Sequence, residues 1–158
     1  LVAAYGRPIH DPEGNLTHTF PSVQQLADVD PIHLAAPKAR QRTLAALVAG
    51  LADRSIVLDT GCDWQSARTQ LLALPGVGPW IAEVIAMRGL GDPDTFPAAD
   101  LGLRVAAKRL GLPSSQRSLT AASARWRPWR SYATQYLWTT LEHLVNHWPP
   151  QQPSKETA

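Results

Sequence analysis

Apolar residues recur along this chain with the helical period, and no stretch alternates apolar with polar positions over any length. Leu44, Leu47, Val48 and Leu51 fall on one face of a helix expected over 37–52. Ala67, Leu71 and Leu72 lie in a further helix, which Asp63 can cap. The last helix, expected over 129–145, is apolar nearly all round, with Tyr132, Ala133, Tyr136, Leu137, Trp138, Leu141 and Leu144, and such a helix is normally buried. Shorter segments are set off by caps and breakers. Helical residues open the chain at 1–5, and Ser22 can cap a short helix through Leu26. Asp30-Pro31 reads as a cap followed by proline at the first helical position. A helix over 80–88 ends near Gly89, Asp100 caps one through Leu110, and another begins near Ser118. Gly6, Pro8, Pro12, Gly14 and Pro21 make 6–21 a loop, and a Gly-, Asp- and Pro-rich loop fills 89–99. The pattern implies an all-α globular domain of roughly six to eight helices. It spans 1–148 and is followed by a polar, Pro-rich tail at 149–158 expected to be flexible.

Composition narrows the class. With 158 residues, 44% hydrophobic and 18% charged, the chain can build one domain around a real core and is not a disordered sequence. No apolar run approaches a membrane-spanning length, and no secretory signal opens the chain. It begins without Met and inside a helical segment, which points to a piece of a longer protein. The single cysteine, Cys62, excludes an internal disulfide and a four-cysteine zinc or iron–sulfur site. A net charge of +2 argues only weakly for a polyanionic partner, so the distribution of charge matters more. Cations gather at Lys38, Arg40 and Arg42, and again at Arg104, Lys108, Arg109, Arg125, Arg127 and Arg130. Taken singly, such runs read as solvated helix faces. His143 and His147 stand one helical turn apart, but no third ligand accompanies them, and no metal or cofactor is expected.

The most informative segment is Leu74-Pro75-Gly76-Val77-Gly78-Pro79, a tight connection between two helices. Pro75 fixes one backbone angle, and Gly76 and Gly78 permit positive φ. Pro79 suits the first position of the helix behind them, whose N-terminus presents unpaired N–H groups and a positive dipole end. Amides turned outward at Gly76, Val77 and Gly78 would form an anion cradle with phosphate as its natural occupant. Glycine spacing alone equally allows an ordinary turn between packed helices. The fuller string, with Ile81-Ala82 following, resembles the helix-hairpin-helix element of DNA repair proteins, whose hairpin amides grip a backbone phosphate without reading sequence.

Beyond the hairpin lies Phe96-Pro97-Ala98-Ala99-Asp100. Asp100 can be a simple N-cap. Its distance from the hairpin also matches the place of the catalytic aspartate in helix-hairpin-helix glycosylases. The run over 90–100, the string Arg125-Trp126-Arg127-Pro128-Trp129-Arg130-Ser131-Tyr132-Ala133, Trp138, and the earlier Phe20-Pro21, Leu26-Ala27 and Asp30-Pro31 together resemble the 3-methyladenine DNA glycosylase II family. The resemblance covers nearly all of 1–148. It implies a monofunctional enzyme, because Trp80 stands where strand-cleaving members carry a Schiff-base lysine. It assigns catalysis to Asp100, the base pocket to Trp80 and Trp138, and phosphate binding to Gly76, Val77 and Gly78. Val84 and Leu101 stand where the family carries further pocket tyrosines, so the pocket is expected to be less aromatic. The family's β-rich N-terminal domain, its first catalytic-domain helices and its wedge residue would precede residue 1.

The implied partner is damaged double-stranded DNA, bound by a monomer in a bacterial cytoplasm, with no membrane association. A flipped purine carrying positive charge from alkylation would stack on indole rings. Its charge also makes it a good leaving group, so one carboxylate suffices. Arg104 and Lys108 could meet phosphates or simply be solvated, while Trp126 and Trp129 are expected to pack the last helix. Three other readings stay open: a non-catalytic DNA clamp, a glycosylase for oxidised or mismatched bases, and a protein–protein module.

Overall fold

The computed structural model describes residues 1–11, 14 and 16–141. Among them the secondary structure is α-helical: α1 (Val2–Tyr5), α2 (Val23–Ala27), α3 (Lys38–Ala52), α4 (Trp64–Leu72), α5 (Pro79–Arg88), α6 (Leu101–Arg109), α7 (Gln116–Ser123) and α8 (Arg130–Thr139). Single 3-10 turns at Pro31–His33 and Ala124–Trp126 join them, and no β-strand forms among the described residues. The expected all-α class holds. Leu144, His143, His147 and the tail at 149–158 lie outside the described residues. The chain divides into two compact units, Leu1–Ala82 and Glu83–Ala158, with α5 beginning in the first and continuing into the second.

In the first unit the N-terminal loop closes on itself through an isolated antiparallel bridge between Pro8 and His18. Ser22 caps α2 in a reciprocal capping box with Gln25, whose side-chain amide also donates to Tyr5 O at 3.1 Å. Asp30 caps the 3-10 turn ahead of Pro31. α3 packs on α2. Its Gln41 side chain donates to the carbonyls of Leu34 and Ala36, 3.0 Å each, tying down the segment that enters the helix. Val48, Ile56, Ala67 and Leu71 are buried, and Ile56 lies where a Cβ on Gly50 would stand, 2.6 Å from its Cδ1. Asp63 caps α4 as the sequence indicates; Ala67 and Leu71 are buried on it and Leu72 is exposed.

The second unit is built on Leu103, Ala106, Ala107, Leu119 and Leu137, with Phe96, Leu112, Trp126, Trp138 and Leu141 packed against them. Two expectations need correction here. α7 begins at Gln116 and not near Ser118, because the serine that caps it is Ser115, which accepts from Ser118 N–H. α8 is not buried all round: Tyr132 and Tyr136 are 64% and 70% exposed, and its buried face is made of Ser131, Thr134 and Leu137. Tyrosine tolerates that position because its ring ends in a polar hydroxyl. Trp126 packs edge-on to Phe96 with centroids 5.7 Å apart, and Trp129, though exposed, rests edge-on on Tyr132 of α8 as expected.

The serine on the buried face of α8 has a clear cause, since the loop leading to α6 bonds to it, while the Thr134 hydroxyl donates to Arg130 O of its own helix. Ser131 Oγ donates to Asp92 O at 2.7 Å and accepts from Thr95 N–H at 3.0 Å. Ser131 N–H donates to Pro93 O at 2.9 Å. Arg130 grips Asp94 with Nε on Oδ1 at 2.6 Å and Nη2 on Oδ2 at 2.9 Å, and it also reaches Asp94 O. Arg127 stands 3.7 Å from the same carboxylate. Arg130 is thus committed to an acidic loop residue and is not simply a solvated face, while Arg127 stays largely exposed. From α5, the Glu83 carboxylate accepts from Phe96 N–H at 3.2 Å. The loop is held from both sides just before it delivers Asp100.

Candidate functional site

Asp100 closes that loop and caps α6. Its backbone is extended, and its Oδ1 accepts from Leu103 N–H at 2.7 Å. The same oxygen accepts from the indole N–H of Trp138 on α8 at 2.9 Å. Helix capping and the indole bond thus meet on one carboxylate oxygen and fix the plane of the group. The sequence assigned Asp100 and Trp138 separately; the structure brings them into direct contact. Gly102 permits the approach. A Cβ there would lie 3.2 Å from Asp100 Oδ1 and 3.4 Å from Leu141 Cδ1. The guanidinium of Arg88, the last residue of α5, lies over the Trp138 ring, 5.3 Å from its centroid. Leu101, next to Asp100, is 71% exposed. Arg104 donates from Nε to Ser114 O at 2.9 Å, which ties it to the loop after α6, while Lys108 remains exposed.

The hairpin forms a separate locus in the first unit. Gly76 has φ +83, as a tight turn of this kind requires, but Gly78 does not adopt positive φ. The turn is closed by Val77 N–H donating to Leu74 O at 3.1 Å, so the Val77 amide points into the turn and not outward. The expectation of three outward amides is corrected on that point. Thr43 on α3 sits under the turn, donating its hydroxyl to Pro75 O at 2.7 Å. A Cβ on Gly76 would come within 2.5 Å of that hydroxyl oxygen, so the close contact as well as the backbone angle demands glycine there. A Cβ on Gly78 would meet nothing within 4 Å. Trp80 follows in the first turn of α5 and is 44% exposed. Lys38, Arg40 and Arg42, on the same helix as Thr43, are all exposed.

Four supporting residues were not singled out from the sequence. Thr43 and Gly102 act through packing between segments distant in sequence, and no local pattern marks them. Arg88 could have been suspected as the last cation of its helix, where the dipole favours positive charge. Asp94 lay inside a loop rich in Asp, with nothing to show which carboxylate would be gripped. The first unit also holds an apolar hollow of about 300 Å³ between α2 and α3, lined by residues such as Leu26, Leu34, Leu44 and Val48. Its lining carries no titratable group, so it offers none of the chemistry seen at Asp100.

No protein-family model matches the chain. Over 152 residues it is 78% identical to a probable bifunctional transcriptional activator/DNA repair enzyme AlkA of Mycobacterium tuberculosis, an alignment covering 96% of this chain and 31% of that protein. It is 32% identical over 124 residues to DNA-3-methyladenine glycosylase 2 of Escherichia coli, covering 77% of this chain and 43% of the other. Among solved structures, the Schizosaccharomyces pombe 3-methyladenine DNA glycosylase Mag1 in complex with abasic DNA superposes with a TM-score of 0.63 at 22% identity, over 80% or less of each chain: 77% of this one and 63% of that one. That likeness shows the fold. The chain spans about a third of the length of the AlkA relative and under half of the Escherichia coli one. Over the part it spans, the chain is similar in sequence to proteins named AlkA and DNA-3-methyladenine glycosylase 2.

Proposed function

We propose that this chain is the helix-hairpin-helix part, over 1–148, of a monofunctional DNA glycosylase that hydrolyses the N-glycosidic bond of alkylated purines in double-stranded DNA. The observation that carries the reading is the pair of N–H donors, Leu103 and Trp138, converging on Asp100 Oδ1. A carboxylate held in one plane at the start of a helix can face a sugar carbon, and the names of the sequence relatives point to base removal from DNA.

The chemistry follows from the charge of the substrate. A purine alkylated at N3 or N7 is cationic, and when the bond to C1′ breaks its electron pair leaves with the base and cancels that charge. Positive charge then develops on the sugar. Asp100 opposes it and takes the proton of the water that adds to C1′. Trp138 holds Asp100 and offers its ring to the base, and Trp80 is the second aromatic assigned to base contact. The amides of Gly76 and Gly78 hold a phosphate, with Val77 completing the turn. Trp80 in place of lysine leaves no amine at that position for a Schiff base, hence the monofunctional assignment. No metal or cofactor enters this scheme.

The test is release of free 3-methyladenine and 7-methylguanine from methylated duplex DNA, with Asp100→Asn in parallel. Release by the wild type that falls about a hundredfold or more in the variant is the expected result. Salt-sensitive DNA binding with no release by either protein would instead identify a backbone clamp.

A further inference from the structure

Arg88 is exposed, and among the described residues it makes no hydrogen bond or ion pair; its guanidinium lies on the Trp138 ring. That ring also packs against the buried cluster of the second unit and donates its N–H to Asp100. A guanidinium and a cationic purine are chemically alike in this setting. Both are planar, charged, delocalised and attracted to the face of an indole. They cannot occupy one face together.

We propose that Arg88 is a displaceable placeholder on the base-stacking face of Trp138, a role that rests on the reading of Trp138 as the wall against which the flipped base stacks. With no base present, Arg88 covers the indole and keeps that face occupied. A flipped purine must move it aside, and an alkylated purine offers the ring a positive charge in exchange. Bond cleavage then changes the balance, because the departing base takes the electron pair and becomes neutral while the guanidinium is still a cation. The neutral product loses its cation–π attraction, and the guanidinium returns to the ring. Arg88 thereby weakens the hold of the site on its own product.

The measurement is the affinity of the whole chain for free 3-methyladenine, followed by tryptophan fluorescence, in wild type, Arg88→Gln and Trp138→Phe. Loss of the competitor in Arg88→Gln should tighten binding about three- to tenfold. Trp138→Phe keeps a ring and the fold but presents a poorer π face, and should weaken binding. Unchanged or weaker binding in Arg88→Gln, with weaker binding in Trp138→Phe, overturns the placeholder while leaving Trp138 as the wall. Unchanged binding in Trp138→Phe, or none by any of the three proteins, overturns the reading of Trp138 and the placeholder with it. Arg88→Lys gives a further check, since an ammonium keeps the charge without the planar stack and should fall between wild type and Arg88→Gln.

Discussion

Asparagine caps a helix as well as aspartate but carries no charge, so substitution can separate the two jobs of Asp100. If Asp100 only capped α6, Asp100→Asn would be harmless to every measurement. The catalytic reading expects stability within about 0.5 kcal/mol of wild type by denaturant titration, together with loss of excision. Asp100→Ala, which removes the cap as well, should cost about 1 kcal/mol in the same titration. The two hairpin glycines separate in a similar way. Gly76→Ala forces a Cβ into positive φ and against Thr43, and should destabilise the fold by about 1–2 kcal/mol. Gly78→Ala meets no protein atom, so its thermal unfolding should match wild type. Any loss of DNA affinity in Gly78→Ala then reports a phosphate approaching that backbone closely. Equal DNA affinity would remove Gly78 from the interface.

At the scale of elements, the sequence was most legible where a single residue decides a boundary. Asp63, Asp100, Ser22 and Asp30 cap where expected, because a cap is a local hydrogen bond and needs no knowledge of the rest of the fold. It was least legible on α8, whose apolar composition concealed that two tyrosines face outward and that the Ser131 hydroxyl bonds the loop before Asp100. The same limit hid the grip of Arg130 on Asp94, a contact between residues 36 apart in sequence. The resemblance singled out Asp100 by its distance after the hairpin, but its bond to Trp138 was not legible, for the same reason of distance along the chain. The Arg130–Asp94 pair gives a pH test. The hydrogen-bonded guanidinium of Arg130 holds the Asp94 carboxyl below its ordinary value of 3.8. A lowered folded pKa means stabilisation that is full at neutral pH and is lost as pH falls from about 4 toward the folded value. Arg130→Met should therefore cost about 2 kcal/mol at pH 7, between the values for exposed and buried pairs. The gap from wild type should narrow below pH about 4 in urea titrations. A gap independent of pH would mean that Arg130 stabilises through packing and not through its charge.

For the molecule as a whole, a net charge of +2 cannot by itself attract a polyanion, so the proposed attachment to DNA would have to come from where the cations stand. Lys38, Arg40 and Arg42 are exposed at the start of α3, and the Thr43 hydroxyl beside them supports the hairpin turn through Pro75 O. A hairpin that grips one phosphate would then have cations on the adjoining helix to meet others. The consequence is measurable without any excision assay. Each phosphate neutralised contributes about 0.9 to the slope of log affinity against log salt concentration. Arg40→Ala with Arg42→Ala should weaken binding to undamaged duplex DNA and flatten that slope by about 1 to 2, equally for every DNA sequence. The thermal unfolding of this double variant should stay close to wild type, because neither arginine is buried. An unchanged slope would show that DNA meets the chain elsewhere, with Arg109 and Lys108 at the end of α6 as the next cations to remove.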